Sequence, residues 1–172
     1  MNKLNYLKDI GFRISWKLIS IGLLGKDEIP VLLTYDDVLE YLDSLLMDVN
    51  DQTNNIIRLI CTKDDCVQFA DILTRLANED HSDPDIQKRK WRVYLVNNII
   101  EHKNGDYMQG LLELMEFWIS MGMPDDCPQI FPSSGRKEIV EDYFTQASYD
   151  LNLNKNREWL NREIQNIIMH EE

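Results

Sequence analysis

Glycine and proline are scarce in this chain, at seven and five of 172 residues. That scarcity excludes a turn-rich all-β fold, because the apolar residues also recur at steps of three and four rather than two. Cysteine is scarcer still. Cys61, Cys66 and Cys127 are odd in number and none lies in a Cys-x-x-Cys pair, so neither a disulfide framework nor a zinc site is expected; reduced, partly buried thiols are the default. Only three histidines occur, and Glu101-His102 and His170-Glu171-Glu172 lack the spacing of a helical metal motif. No metal and no cofactor is expected. The longest uncharged apolar stretches, around residues 18–25 and 117–124, fall far short of the roughly 20 residues of a membrane-spanning helix. Lys3, Lys8, Asp9, Arg13 and Lys17 interrupt the first 25 residues, which excludes a signal-peptide core there and leads to the expectation of a cytoplasmic protein without a membrane partner.

Basic charge is the remaining shortage. Eighteen Lys and Arg stand against thirty Asp and Glu, a formal net charge of −12, which argues against a nucleic-acid binder held by phosphate neutralisation. A charged partner is expected to be basic. What the chain does have is apolar side chains, at 44% of residues, enough at this length to close a core.

The periodicity predicts helices almost throughout. A first segment runs over residues 2–10 and is broken by Gly11; Ser15 caps a second over 16–24, ended by Gly25. Thr34-Tyr35-Asp36-Asp37 has capping-box spacing with Asp for the usual Glu or Gln, and predicts a helix over 35–47. Further helices are expected over 52–61 and 64–78, with Asp64 as a cap and Val67, Ala70, Leu73, Leu76 and Ala77 inward. Asp83-Pro84 should open another, reaching His102. Asn104-Gly105-Asp106 supplies a stop, a turn and a cap for residues 107–121, apolar nearly all round and read as the central helix. Pro124, Pro128 and Pro132 mark residues 122–135 as one long ordered loop. A helical stripe, Ile139, Val140, Tyr143, Phe144, Ala147 and Leu151, and a last helix capped by Asn154 complete an all-α chain of about seven or eight helices. A single domain over 1–172 is expected, residues 136–172 being a C-terminal helical pair packed on the rest.

No catalytic constellation emerges. Asp64-Asp65-Cys66 and Asp125-Asp126-Cys127 place acids beside a thiol, which raises rather than lowers its pKa; helix capping accounts for both pairs. Isolated glycines without a following Lys-Ser or Lys-Thr do not make a phosphate loop. Lys88-Arg89-Lys90 with Arg92 is expected to pair with Glu79, Asp80, Asp83 and Asp85 and keep a helix start soluble. Trp91, Trp118 and Trp159 read as core, whereas an exposed Trp would be a candidate hot spot. An enzyme of unrecognised helical type would need a deep pocket lined by a buried carboxylate, His81 or His102.

Acid is concentrated in one place. Between Lys26 and Asn55 lie Asp27, Glu28, Asp36, Asp37, Glu40, Asp43, Asp48 and Asp51, against one base. A solubilising face explains this, and so does a binding face whose self-repulsion a basic partner relieves. Asp36, Asp37, Glu40 and Asp43 are the expected steering residues, with Tyr35 or Tyr41 as rim aromatics; the loop 122–135 is the alternative contact site.

Two stretches carry a family likeness. Ile14-Ser15-Trp16-Lys17 with Ile21-Gly22-Leu23, then Lys90-Trp91, Tyr94-Leu95, Leu111-Leu112, Phe117-Trp118, Met123-Pro124-Asp125-Asp126 and Phe131-Pro132, resemble the pattern of the bacterial domain-of-unknown-function family 2247. The resemblance covers most of the chain up to about Gly135. It implies small cytoplasmic bacterial proteins without established enzymatic activity, some of which look like immunity proteins of toxin systems. The expectation is therefore a non-enzymatic protein-binding module, concretely an immunity protein facing a basic toxin domain. A helical adaptor or structural subunit is the alternative.

Overall fold

The computed structural model describes residues 2–46, 53–102, 105–132 and 143–171. Among them it contains eight helices and no strand: α1 (Lys3–Asp9), α2 (Trp16–Leu24), α3 (Tyr35–Leu45), α4 (Thr53–Ile60), α5 (Cys66–Glu79), α6 (Pro84–Glu101), α7 (Tyr107–Ser120) and α8 (Gln146–Glu171). The expected all-α class is what the chain adopts. Asn104, Asp48, Asp51, Ile139 and Val140, and residues 133–135 of the expected loop, lie outside the described residues.

Most helix starts follow the expected cap chemistry. Leu18 N–H donates to Ser15 Oγ at 3.1 Å. At α3 the box is complete: Asp37 N–H donates to Thr34 Oγ1 at 3.1 Å, and Thr34 N–H donates to Asp37 Oδ2 at 2.8 Å. Asp106 caps α7 through Met108 N–H at 2.9 Å. For α5 the cap is Asp65, which accepts from Val67 and Gln68 N–H, so Asp64, one residue earlier, does not serve. Asn154 caps nothing. Where a C-terminal pair was expected, α8 runs unbroken over 26 residues, because Asn mid-helix costs only tenths of a kcal/mol against a continuous buried stripe.

Two compact units are distinguished, Met1–Arg92 with Ile167–Glu172, and Val93–Asn166. In the first, α2 packs on α5, and α1 and α4 on α3. Trp91 is fully buried and lies across Gly22, where a Cβ would come within 2.3 Å of its ring; only glycine admits this approach. The indole N–H donates to the Leu18 carbonyl at 2.9 Å. Lys90 is also fully buried. Its Nζ donates to the Arg13 carbonyl at 2.7 Å, to Gln87 Oε1 at 3.0 Å and to Glu171 Oε1 at 2.5 Å.

In the second unit Trp118 and Trp159 meet edge to face, ring centres 5.0 Å apart. Trp118 N–H donates to Asn156 Oδ1 at 2.8 Å, and Asn156 Nδ2 donates to the Asn152 carbonyl at 2.9 Å. The described part of the proline-bearing loop is fastened to α8: Ile130 N–H donates to Asn152 Oδ1, and Trp159 N–H to Asp126 Oδ2, both at 2.8 Å. Asp126 thus holds a tryptophan rather than capping a helix.

All three tryptophans expected in the core are buried. Four other expectations of burial fail. Val67 is 73% and Leu151 50% exposed, since each falls on the side of its helix opposite the buried residues, Phe69, Leu73 and Leu76 on α5 and Asn152, Asn156 and Leu160 on α8. On α7, expected to be enclosed, Met108, Leu112 and Ile119 are exposed, spaced so as to fall on one side of the helix. The thiols of Cys61 and Cys66 are exposed, not partly buried.

Candidate partner-binding site

The capping box fixes where α3 begins and therefore which way its side chains face. Val38, Tyr41 and Leu42 turn inward. Asp36, Glu40 and Asp43, at steps of four and three, fall on the opposite side and are exposed.

The concentrated acids divide into two groups. Asp27 pairs with Lys88 at 3.2 Å, Glu28 with Arg92 at 3.9 Å, and Asp37 with Lys3 at 3.5 Å. Burial works against ionisation of Asp37, but Thr34 N–H, the Thr34 hydroxyl and Lys3 outweigh it and hold the carboxyl below its ordinary value. Its role is therefore capping and pairing. Among the described residues Glu40 accepts a neutral hydrogen bond, from Asn2 Nδ2 at 3.2 Å. Among the described residues Asp36, Glu40 and Asp43 have no cationic partner, so three charges remain uncompensated on one helix face.

The aromatic expectations change. Tyr41 is 4% exposed and cannot serve as a rim contact; it stands four residues from Asp37 and one from Leu42, on the edge that turns toward the core. Burial alone pushes its hydroxyl up to about 12. Tyr35 is tied inward as well, its hydroxyl donating to the Cys66 carbonyl at 3.3 Å and its ring meeting Phe69 edge on.

The basic cluster on α6 also finds other partners. Lys88 meets Asp85 at 3.1 Å as well as Asp27, Lys90 is buried against Glu171, and Arg92 reaches Glu28. Lys88–Asp85 is the one expected pairing among these. Asp80 is engaged elsewhere: its carboxylate accepts from Lys17 N–H at 2.9 Å and Ser82 N–H at 2.8 Å, fastening the start of α2 to the end of α5.

Sequence reasoning passed over Trp16. It is only partly buried and lines a cavity of about 360 Å³ together with Ser15, Tyr41, Leu42, Ile56 and Asp80. Its place at the first turn of α2, directly after the Ser15 cap and outside the stripe Leu18, Ile19, Ile21, was the available signal. His81 and His102 are exposed. No group of three or more His, Cys, Asp or Glu that could hold a metal ion occurs among the described residues, and no described helix is long and apolar enough to cross a membrane.

An acidic, all-helical chain, with its polar interior built from Lys90 and from Asn152 and Asn156, is thus the class that fold and site define. The family model for an uncharacterised protein conserved in bacteria, domain-of-unknown-function family 2247, matches residues 4–164. The chain belongs to that family, and the match passes well beyond Gly135. No curated protein and no solved structure matches it. The motif residues acquire physical roles here: Ser15 caps α2, Gly22 admits Trp91, and Trp118 binds Asn156.

Proposed function

We propose that the chain is a non-enzymatic protein-binding module whose partner presents a basic surface, concretely an immunity protein that occludes a bacterial toxin domain. The observation that carries this reading is the uncompensated face Asp36, Glu40 and Asp43 on α3, left exposed while Asp27, Glu28 and Asp37 of the same stretch are paired. Three unbalanced charges within two helical turns cost self-repulsion, which a basic partner relieves. They also steer its approach, so salt should slow association more than it speeds release.

The test is co-expression with the product of the adjacent upstream gene, scoring cell survival and co-purification at low and high salt. The triple variant Asp36→Asn, Glu40→Gln, Asp43→Asn should lower the association rate about tenfold or more at low salt. Rescue and association unchanged by the variant would remove α3 as the steering face.

A specific observation favours a second reading, that of a helical adaptor. Met108, Leu112 and Ile119 form an exposed apolar stripe along α7, the pattern of a helix that seats against another apolar surface. Adaptor association would be insensitive to salt and abolished by Leu112→Lys, with the α3 acids irrelevant.

A further inference from the structure

The cavity beside Trp16 has a composition that the acidic face does not explain. Its wall is apolar at Ile19, Leu42 and Ile56, aromatic at Trp16 and Tyr41, and anionic at Asp80. At about 360 Å³ it falls at the small end of the range of small-ligand sites.

Two polar groups stand on this wall, Tyr41 and Asp80. Tyr41 is 4% exposed, and its hydroxyl has no hydrogen-bond partner among the described residues. A polar group so placed ordinarily finds a partner. Asp80 opposes it in chemistry. Burial disfavours its charge, yet donation from Lys17 N–H, from Ser82 N–H and from the hydroxyls of Ser82 and Ser15 holds the carboxyl below its ordinary value, so it is ionised at neutral pH. No Lys or Arg among the described residues lies within ion-pair distance of that carboxylate. Lys17 Nζ turns instead to the carbonyl oxygens of Asp80 and Ser82, at 2.7 and 2.5 Å. An ionised carboxylate that only the longer-range charge of Lys90 balances, set beside aromatic faces, is complementary to a cation.

We propose that this cavity binds an organic cation, an ammonium or guanidinium on a short apolar stem, with the head at Asp80 and the stem against Trp16 and Tyr41. The Ser15-Trp16-Lys17 motif then has a use beyond starting α2: Ser15 and Trp16 supply wall, and Lys17 N–H fixes the carboxylate. The cation comes either from a free amine or from a basic side chain of a partner protein, and only the second source rests on the reading given above.

Titration calorimetry on the full chain, with no partner present, tests this using n-butylguanidinium and its neutral isostere n-butylurea. The cation should bind at millimolar concentration or better, and the urea at least about tenfold more weakly. Equal binding of the two, or binding of neither, overturns the proposal. Asp80→Asn should weaken the cation about tenfold. Because Asp80 also fastens α2, two further variants keep the test independent of folding. Tyr41→Phe deletes only the hydroxyl and should weaken binding severalfold, while Leu45→Trp, at a position that also lines the cavity, should fill it and abolish binding; binding untouched by all three overturns the site. N-acetyl-arginine amide distinguishes the sources: its binding admits a protein side chain, and its exclusion while butylguanidinium binds leaves a free amine. Failure of the α3 triple variant in the partner assay would leave this result standing, and the reverse holds too.

Discussion

In the first compact unit a fully buried polar side chain is an ammonium, Lys90, and in the second a fully buried one is an amide, Asn156. Each gathers partners from distant parts of the chain. Lys90 holds the Arg13 carbonyl, Gln87 and Glu171; Asn156 holds Trp118 and the Asn152 carbonyl, and reaches Gln129 at 3.3 Å. The energetics differ. Burying an ion costs several kcal/mol, regained only when its partners are complete, whereas an amide costs less and needs only its hydrogen bonds. Burial accordingly depresses Lys90 despite Glu171. Lys90 in the first unit therefore depends on pairing of charge, and Asn156 in the second on matching of neutral donors and acceptors.

The comparison breaks most visibly at Lys90. Lys90→Ala leaves Glu171, whose side chain is 15% exposed, facing a vacated site, and should cost about 3 kcal/mol in urea unfolding. Lys90→Met fills the space and removes the desolvated charge, so it should cost about half as much or less. Equal losses in the two variants would mean that the charge and its hydrogen bonds, not packing, are what Lys90 supplies.

Asn156→Ala probes the other unit. It leaves the buried Trp118 N–H and Gln129 Oε1 without this partner, a loss of about 2 kcal/mol. Hydrogen exchange should report it in α7 and the first half of α8. A loss below about 0.5 kcal/mol, the usual scale of a surface change, would show that water or a shifted side chain satisfies Trp118 equally well.

These polar centres were the least legible part of the sequence. Helix positions were readable because caps and periodicity are local: Ser15, Thr34, Asp83 and Asp106 mark starts that the structure contains. Lys90 sits in a run of bases and reads as solvated, because nothing near it in sequence reveals Glu171, 81 residues away. The acids of α3 were readable as a group but not singly; it took Lys3, Lys88 and Arg92 to show which of their neighbours are compensated. Tyr41 was misplaced for a related reason. A tyrosine between an acidic face and an apolar face belongs to either until the packing of the helix is known, and here the apolar side takes it. Likewise Trp16 gave no periodic signal, since its cavity is assembled from α2, α3, α4 and the end of α5.

Acid provides the mildest contrast between the units. Asp37 and Asp80 both titrate below the ordinary value of 3.8 in the folded chain. The unfolded state therefore binds protons more tightly than the folded one as pH falls. Their contribution to stability is complete above about pH 5, and is lost progressively as pH drops through 3.8 and then through the lower folded values. Both act in the first unit, Asp37 at the start of α3 and Asp80 between α2 and α5. The amides of Asn152 and Asn156 have nothing to titrate in this range. Lowering the pH from 5 to 3 should thus speed hydrogen exchange, corrected for its intrinsic pH dependence, in α2 and α3 more than in α7. Because both carboxyls are partly exposed, solvent screening keeps the difference small, and Asp37→Asn should shrink it further by removing one titrating group while retaining an acceptor for Thr34. Uniform acceleration across α2, α3 and α7 would show that the ionised groups of the first unit are dispensable and that apolar packing alone sets its resistance to acid.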